Sequence, residues 1–206
     1  MSARIWHNMD KQPKQRFVLL DRDGVINRRP SSGYVGSWEM FEFLPRAVEA
    51  LRLLSESGYT AIVISNQPCV GQGLLSSMEL DAMTRRFLLE TALSGGNIGQ
   101  VYYCRHRAED HCRCRKPQPG MALRAQAEHG FAAEETYFVG DSPEDLAAAG
   151  AAGCPRIQIR RDAFLAKPLR GEESPLVASN LHEAAEMILQ IQKYEVPEMA
   201  LVRTCL

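Results

Sequence analysis

The chain has 206 residues, of which 45% are hydrophobic and 24% charged, an ordinary composition for a globular protein with a covered core. Its formal net charge of −1 gives no overall basic field, so bulk binding to nucleic acid is not expected. No apolar run approaches the roughly 20 residues that cross a membrane, and residues 1–16 lack the apolar segment of a secretory signal. We therefore expect a cytoplasmic protein.

Strand and helix patterns alternate along the chain. Short apolar runs predict five strands, at residues 17–20, 60–65, 100–104, 136–140 and 156–159. Helical periodicity, capping boxes and glycine stops predict helices at 46–57, 76–93, 120–129, after 140 up to about 150, and 180–193. This rhythm predicts a single α/β domain over residues 1–206, a Rossmann-like three-layer α/β/α sandwich with a mainly parallel sheet. Its core should cover about 15–194, with loose tails at 1–14 and 195–206 and a loop at 162–178.

Two carboxylates follow the first predicted strand, in the sequence Asp21-Arg22-Asp23-Gly24. The carboxyl end of a strand in an open α/β sheet is where ligands bind. Two acids at this spacing can share one divalent cation and still leave an oxygen free to attack a phosphoryl group. The alternative is a polar turn, in which Asp and Gly are common for local reasons.

The second predicted strand also ends in polar side chains, Ser65, Asn66 and Gln67. They should face the same crevice as Asp21, where the Ser65 hydroxyl could donate to a phosphate oxygen and the two amides could bind substrate. Such residues also commonly begin loops, so this signal is weak by itself.

Two basic residues, Arg115 and Lys116, precede the helix predicted at 120–129. Pro117 and Pro119 stiffen this approach and fix the direction of Lys116, whose ammonium suits a transferring phosphoryl group. Arg115 offers a planar fork for a second phosphate or for sugar oxygens. The alternative is a pair of solvated cations, although cations are disfavoured at the start of a helix.

The fourth predicted strand ends in Gly140-Asp141-Ser142. With Asp21 and Asp23, Asp141 completes an all-oxygen site that suits Mg²⁺. Ser142 is a candidate substrate-binding residue beside it. Asp145, one turn further on, can bond back into this loop or act as the acidic partner of the helix N-terminus.

These motifs, in this order, resemble the haloacid dehalogenase (HAD) superfamily of phosphotransferases from the first predicted strand to the fifth. The resemblance implies that Asp21 is the nucleophile and Asp23 the general acid and base. It also implies that Ser65 and Lys116 hold the phosphoryl group. Mg²⁺ would be bound by Asp21, Asp141 and the backbone carbonyl of Asp23.

Four side chains of types that bind metal ions lie within eleven residues, at Cys104, His106, Cys112 and Cys114. Because the six cysteines accompany no secretory signal, metal binding is favoured over disulfides, and this set suits a closed tetrahedral Zn²⁺ site. His111 is a rival ligand, and buried thiols beside a surface histidine are the alternative. Zinc would stabilise this loop and thereby position Arg115 and Lys116, which follow it.

This loop and the Arg-Lys-Pro after it resemble the histidinol-phosphatase and heptose-bisphosphate phosphatase branch of the superfamily. The resemblance implies Mg²⁺-dependent release of the C7 phosphate of D-glycero-D-manno-heptose 1,7-bisphosphate, in the heptose pathways of lipopolysaccharide and other cell-surface sugars. Histidinol phosphate and heptose 7-phosphate are alternative substrates. Gln72 and Ser142 stand where this branch often has cations, so discrimination for a bisphosphate could be weak.

The active site should be open, because about 18 residues between Asn27 and the helix at 46–57 are too few for a cap domain. Tyr34 and Trp38 could wall the site, although packing beneath the loop is favoured for Trp38. Two other classes compete with the enzyme: a nucleic-acid-binding module built on the zinc loop, and a phospho-receiver domain. We expect a monomer that binds a small sugar phosphate, no nucleic acid and no membrane.

Overall fold

A parallel sheet organises the molecule. The computed structural model describes residues 15–31, 33–160 and 175–195. Its strands in these ranges are β1 (Arg16–Leu20), β2 (Tyr59–Asn66), β3 (Ile98–Cys104), β4 (Phe138–Gly140), β5 (Arg156–Ile159) and β6 (Leu176–Ala178). They form one sheet in the order β3-β2-β1-β4-β5-β6, with every pairing parallel. The chain order reverses between β1 and β4, which places a ligand crevice at the carboxyl ends of these two central strands.

Helices cover both faces of the sheet. They are α1 (Ala47–Glu56), α2 (Pro68–Gly71), α3 (Ser77–Leu93), α4 (Gly120–His129), α5 (Pro143–Ala151) and α6 (Leu181–Glu195). Val18 and Leu20 of β1 join the core shared with α1, α3 and α6, whereas Phe17 and Leu19 join the core shared with α4 and α5. Alternate side chains of a strand point to opposite faces, so an unbroken apolar run fits a sheet buried on both sides. The predicted three-layer sandwich is confirmed.

The helix starts follow the predicted caps. Ser76 accepts a hydrogen bond from the Glu79 amide, and the Glu79 carboxylate accepts one from the Ser76 amide. At α6, Asn180 caps the Glu183 amide, but the Glu183 carboxylate accepts from Ser179 rather than from Asn180. Local sequence therefore fixed where these helices begin.

The prediction of a loop through 162–178 is wrong at its end, because β6 pairs with β5 there. Residues 161–174 lie outside the described residues, as do 1–14 and 196–206, where tails were predicted. Glu195, assigned to the second tail, is the last residue of α6. The four-residue helix α2 was not predicted, and β3 begins two residues before the expected residue 100.

The segment between β1 and α1 packs over the core. It carries a short 3₁₀ turn, Trp38–Met40, and the Trp38 ring stacks on Phe41 with centroids 5.0 Å apart. The guanidinium carbon of Arg86, on α3, also lies over the Trp38 ring, 4.7 Å from its centroid. Trp38 therefore packs within the fold, as favoured from sequence, rather than walling the crevice. Among the described helices, none combines the length and apolar character needed to span a membrane.

Candidate active site

The nucleophile position predicted from sequence lies at the centre of the sheet edge. Asp21 directly follows β1, and its amide donates to the Val139 carbonyl of β4 at 2.9 Å. Gly24 then turns the chain with φ +103°, and a Cβ built there would lie 1.9 Å from Oδ2 of Asp141. Only glycine satisfies both constraints, since other residues rarely adopt this φ and none fits the space. The turn therefore brings the loops after β1 and β4 into contact.

Lys116 is buried between two carboxylates. Its Nζ lies 2.7 Å from Oδ1 of Asp21, 2.5 Å from Oδ1 of Asp145 and 2.9 Å from the Ile64 carbonyl. Burial alone would lower the pKa of Lys116, but the two carboxylates outweigh it and raise that pKa. The ammonium is therefore held charged at the floor of the site, where it can meet a phosphoryl oxygen.

Asp21 itself is almost completely buried. Burial raises its pKa to about 7; Lys116 opposes the shift, and the neighbouring charges of Asp145 and Asp23 add to it. A carboxylate in such surroundings is poorly solvated, which favours its use as a nucleophile.

The Asp23 carboxylate accepts hydrogen bonds from three side chains. The fully buried Arg22 guanidinium donates to both of its oxygens at 3.0 Å, Gln67 donates to Oδ2 at 2.6 Å, and Asn27 donates to Oδ1 at 2.8 Å. Arg22 is itself fixed by Tyr103, whose ring lies 5.6 Å from the guanidinium carbon. This orientation keeps the Asp23 carboxylate on the wall of the crevice, within the same cavity as Asp21.

The polar residues after β2 position other groups. Asn66 and Lys116 bond reciprocally: the Asn66 amide donates to the Lys116 carbonyl, and the Lys116 amide donates to Oδ1 of Asn66, both at 3.1 Å. The Ser65 hydroxyl is buried and accepts from Gln67 at 3.1 Å. Ser65 and Asn66 border the crevice, whereas Gln67 lies behind Asp23. The amides therefore hold Lys116 and Asp23 in place.

The acids after β4 divide into two roles. Oδ2 of Asp145 accepts from the Ser142 hydroxyl at 2.6 Å and from the Ser142 amide at 3.0 Å, and it completes the cap of α5. Its Oδ1 faces Lys116. Asp145 and the Ser142 hydroxyl are thus engaged with the loop, as predicted for Asp145, while Asp141 extends towards Asp21.

Carboxylate oxygens of Asp21, Asp141 and Asp145 all lie within 4.8 Å of one another. The Asp23 carbonyl faces the same point, because the Arg29 guanidinium contacts that carbonyl at 2.8 Å and Oδ1 of Asp141 at 2.9 Å. Asp21, Asp141 and this carbonyl form an all-oxygen set around one cation position, which fits Mg²⁺. The Asp23 side chain points instead to Arg22 and Gln67, so its carbonyl is the group available to a metal.

The crevice has a volume of about 410 Å³ and is open to solvent. Gly33, Tyr34 and Arg115 line the crevice, with the buried Lys116 at its floor. The Nη1 of Arg115 is buried and has no hydrogen-bond partner in the described part of the chain. The predicted residues Asp21, Asp23, Ser65, Asn66, Arg115, Lys116 and Ser142 all border this one cavity.

The second predicted metal site forms a compact cluster after β3. Sγ of Cys114 lies 3.5 Å from Cys104, 3.4 Å from Cys112 and 3.2 Å from Nδ1 of His106, and Cys104 lies 3.6 Å from Cys112. Tetrahedral ligands about 2.3 Å from a central zinc would stand roughly 3.8 Å apart, so the donor set fits Zn²⁺ with small adjustments. His111 is exposed and lies outside this cluster. The three cysteines carry free thiols.

The cysteine loop contacts the crevice through its neighbours. The Cys104 carbonyl accepts a hydrogen bond from the backbone N–H of Gln67 at 2.7 Å. The Arg107 side chain donates to the Gly71 carbonyl of α2. A Cβ at Gly71 would lie 2.5 Å from the Arg105 carbonyl, so the loop packs directly on α2. Movement of this loop would therefore reach the residues that hold Asp23 and Lys116.

Sequence reasoning missed the residues that support the acids. Arg22 and Asn27 grip Asp23, and Arg29 contacts the three oxygen groups at the cation position. Arg22 carried one available signal, since an arginine between two acids after a buried strand can pair with one of them, here Asp23. Arg29 carried none, because its partners lie six and more residues away.

Comparison with known proteins gives a consistent set of matches. A family model described as HAD-hydrolase-like matches residues 113–184. The D-glycero-beta-D-manno-heptose-1,7-bisphosphate 7-phosphatase of Pseudomonas aeruginosa is 36% identical over 177 residues, covering 84% of this chain and 98% of the relative. The D-glycero-alpha-D-manno-heptose-1,7-bisphosphate 7-phosphatase of Mycobacterium tuberculosis is 37% identical over 151 residues, covering 70% and 80%.

A solved structure agrees with these relatives. The D,D-heptose 1,7-bisphosphate phosphatase from B. bronchiseptica, complexed with magnesium and phosphate, has a TM-score of 0.78 at 29% identity. It covers 85% of this chain and 99% of its own. The parallel sheet, its edge of acids and these matches define a phosphatase of the HAD-like class. Within that class, the chain belongs to the D-glycero-D-manno-heptose-1,7-bisphosphate 7-phosphatase family.

Proposed function

We propose that this phosphatase releases the C7 phosphate of D-glycero-D-manno-heptose 1,7-bisphosphate in the cytoplasm, with Mg²⁺, through an aspartyl-phosphate on Asp21. The observation that carries the proposal is the burial of Asp21 beside the Lys116 ammonium at 2.7 Å, at the floor of an open crevice. The names of the relatives supply the sugar. The residue roles follow from contacts around Asp21.

In the first step, a carboxylate oxygen of Asp21 attacks phosphorus, and the bond between phosphorus and the C7 oxygen breaks. Asp23 gives its proton to the departing C7 oxygen, so the sugar leaves as an alcohol. Lys116 neutralises charge on the phosphoryl oxygens during transfer. Bound at Asp21, Asp141 and the Asp23 carbonyl, Mg²⁺ would supply further positive charge to the same oxygens.

In the second step, Asp23 is a carboxylate and takes a proton from water. The resulting hydroxide attacks phosphorus, the bond to Asp21 breaks, and inorganic phosphate leaves. Asp23 thereby regains its proton, and Asp21 regains its charge. Arg22, Gln67 and Asn27 support both steps because they fix the direction of the Asp23 carboxylate.

The open crevice suits a phosphate on a primary carbon, because such a group can extend to Asp21 while the sugar ring stays near the rim. Nη1 of Arg115 is buried without a hydrogen-bond partner among the described residues, and Arg115 lines the same cavity, so it is the candidate partner for sugar oxygens or a 1-phosphate. One lost charge-assisted contact costs roughly 1.5–3 kcal/mol, or about ten- to a hundredfold in specificity.

The substrate test compares kcat/KM for both anomers of heptose 1,7-bisphosphate, for heptose 7-phosphate and for histidinol phosphate. We expect a bisphosphate anomer to be best, with heptose 7-phosphate within about a hundredfold. Arg115→Gln should lower kcat/KM for the bisphosphate more than kcat/KM for heptose 7-phosphate, so the ratio of the two values should fall. A clear preference for histidinol phosphate would overturn the proposed substrate and leave the chemistry at Asp21 intact.

We further propose that Cys104, His106, Cys112 and Cys114 hold one structural Zn²⁺. Support comes from donor atoms that all lie within 4.8 Å of one another, five of the six pairs at 3.2–3.7 Å, and from the contact of this loop with α2. Zinc here would keep the Arg115–Lys116 segment in position and would take no part in phosphoryl transfer.

Elemental analysis of the purified protein tests the zinc proposal, with an expected content near one zinc per chain. Replacement by Co²⁺ should give the visible absorption of a tetrahedral thiolate site, which is independent of catalytic activity. Protein purified with zinc in the buffer that carries no bound metal would contradict the assignment.

A further inference from the structure

Arg29 has no role in the chemistry above, yet it contacts the centre of the site. Its Nε and Nη2 donate to the Asp23 carbonyl at 3.1 and 2.8 Å. Its Nη2 also donates to Oδ1 of Asp141 at 2.9 Å and lies 3.6 Å from Oδ2 of Asp21. One guanidinium therefore bridges three separate oxygen groups from two loops.

These three groups are the same ones that the proposed function assigns to Mg²⁺. Mg²⁺ requires oxygen ligands at about 2.0–2.1 Å and a near-octahedral shell. The Arg29 guanidinium stands within 3.6 Å of an oxygen of each group, and its charge repels a dication held by the same oxygens. The two cations therefore compete for these oxygens.

The Arg29 side chain is able to leave. It is 49% exposed, and its hydrogen bonds and ion pairs in the described chain are confined to these three groups. Arg22 provides the contrast, since it is fully buried and held by Asp23 and Tyr103. An exposed side chain such as that of Arg29 can rotate into solvent when a dication binds. A buried side chain such as that of Arg22 cannot.

We propose that Arg29 is a tethered cation that competes with the divalent metal for Asp21, Asp141 and the Asp23 carbonyl. It thereby sets the metal concentration at which the site loads. This inference rests on the proposed function, because that proposal assigns these oxygens to Mg²⁺. It adds that metal loading requires release of a side chain belonging to the chain itself, and that Arg29 neutralises the acids when metal is scarce.

The adjacent Arg28 offers a matched control. Its guanidinium pairs with Glu42 at 2.7 and 2.9 Å on the exposed surface. Within the described chain, these bonds to Glu42 take the place of any contact with the aspartates of the site. Arg28→Gln and Arg29→Gln change the net charge equally and lie one residue apart. A difference between them therefore reports the contact of Arg29 and not the general loss of a positive charge.

The experiment measures Mn²⁺ binding by electron paramagnetic resonance of the free ion, on full-length protein passed into metal-depleted buffer. We expect Arg29→Gln to bind Mn²⁺ about tenfold more tightly than the wild type, and Arg28→Gln to match the wild type. Arg29→Lys should lie between them, because an ammonium keeps the charge but cannot bridge three groups. Without metal, Arg29→Gln should also melt at a lower temperature than Arg28→Gln, and saturating Mg²⁺ should remove that difference.

Unchanged or weaker Mn²⁺ binding by Arg29→Gln would overturn the proposal. Asp141→Asn separates this failure from failure of the metal site itself. If Asp141→Asn loses affinity while Arg29→Gln behaves as the wild type, only the competition is wrong. If Asp141→Asn binds Mn²⁺ as tightly as the wild type, the metal assignment is wrong and the competition falls with it.

Discussion

The two candidate metal sites of this molecule are built in opposite ways. The acid site takes Asp21 from the end of β1, Lys116 from the loop before α4 and Asp141 from the end of β4, so its members come from across the chain. The cysteine site takes all four ligands from residues 104–114. The acid site therefore depends on the whole sheet, whereas the cysteine site depends on one loop.

Their chemistry differs as sharply as their construction. The acid site offers hard oxygen donors from three neighbouring carboxylates, two of which pair with a buried ammonium, and this set suits Mg²⁺ and phosphoryl transfer. The cysteine site offers three thiols and an imidazole, which suit a closed zinc centre. The comparison predicts that damage to the first should remove chemistry and spare the fold, whereas damage to the second should loosen a loop and weaken binding.

The largest expected effect follows from Asp21→Asn. An amide keeps the shape of the side chain but is no nucleophile, so phosphate release should fall by several orders of magnitude. Single-turnover assays with circular dichroism would show lost chemistry in a folded protein. Glu90→Gln on α3 is the control, since it converts a partly exposed carboxylate that pairs with Arg86 on the same helix. Turnover near the wild-type rate in Asp21→Asn would remove the basis of the mechanism.

A smaller loss is expected for Asp23→Asn, roughly 10²–10⁴-fold with a sugar phosphate. Its position predicts a signature: the loss in the transfer step should shrink with p-nitrophenyl phosphate, whose leaving group needs no proton. Rapid-mix kinetics on both substrates would separate transfer from hydrolysis of the intermediate. Equal losses in transfer for both leaving groups would argue against Asp23 as the general acid.

Cys112→Ser tests the second region. We expect zinc content to fall and KM to rise by about ten- to a hundredfold, with a smaller change in kcat, because the loop carries Arg115 and Lys116. Cys154→Ser is the control, since this buried thiol lies away from the cluster. A variant that retains full zinc and an unchanged KM would show that the two regions are not linked as proposed.

The smallest effect concerns pH. The pKa of Asp21 rises from 3.8 to about 7 on folding, so between these values the folded chain binds more protons than the unfolded chain. Its contribution to stability must therefore decrease as pH rises from about 4 to 7. In metal-depleted protein, the slope of the free energy of unfolding against pH in this window should be more positive for Asp21→Asn than for the wild type. Denaturant titrations at several pH values would measure the two slopes, and identical slopes would contradict the shift.

The sequence by itself determined most of the secondary structure and the set of candidate residues for the site. β1 and β5 were predicted to within one residue, because both the apolar run of β1 and the alternating isoleucines of β5 are local patterns. The caps of α3 and α6 were predicted because Ser76 and Asn180 bond within their own turns. The cysteine cluster was predicted because its ligands are neighbours along the chain.

Only the tertiary structure decided the features whose partners are remote. The three-residue β6 has two exposed side chains and no alternating pattern, so its pairing with β5 is what makes it a strand. Gln67 was predicted to bind substrate, but folding places Asp23 within 2.6 Å of it, and the amide supports that acid. Arg29 reaches Asp141 only because the turn at Gly24 brings the loops after β1 and β4 together. Charge interactions and hydrogen bonds act between groups that are close in space. The residue types therefore indicate which chemistry is available, and the fold decides which groups become partners.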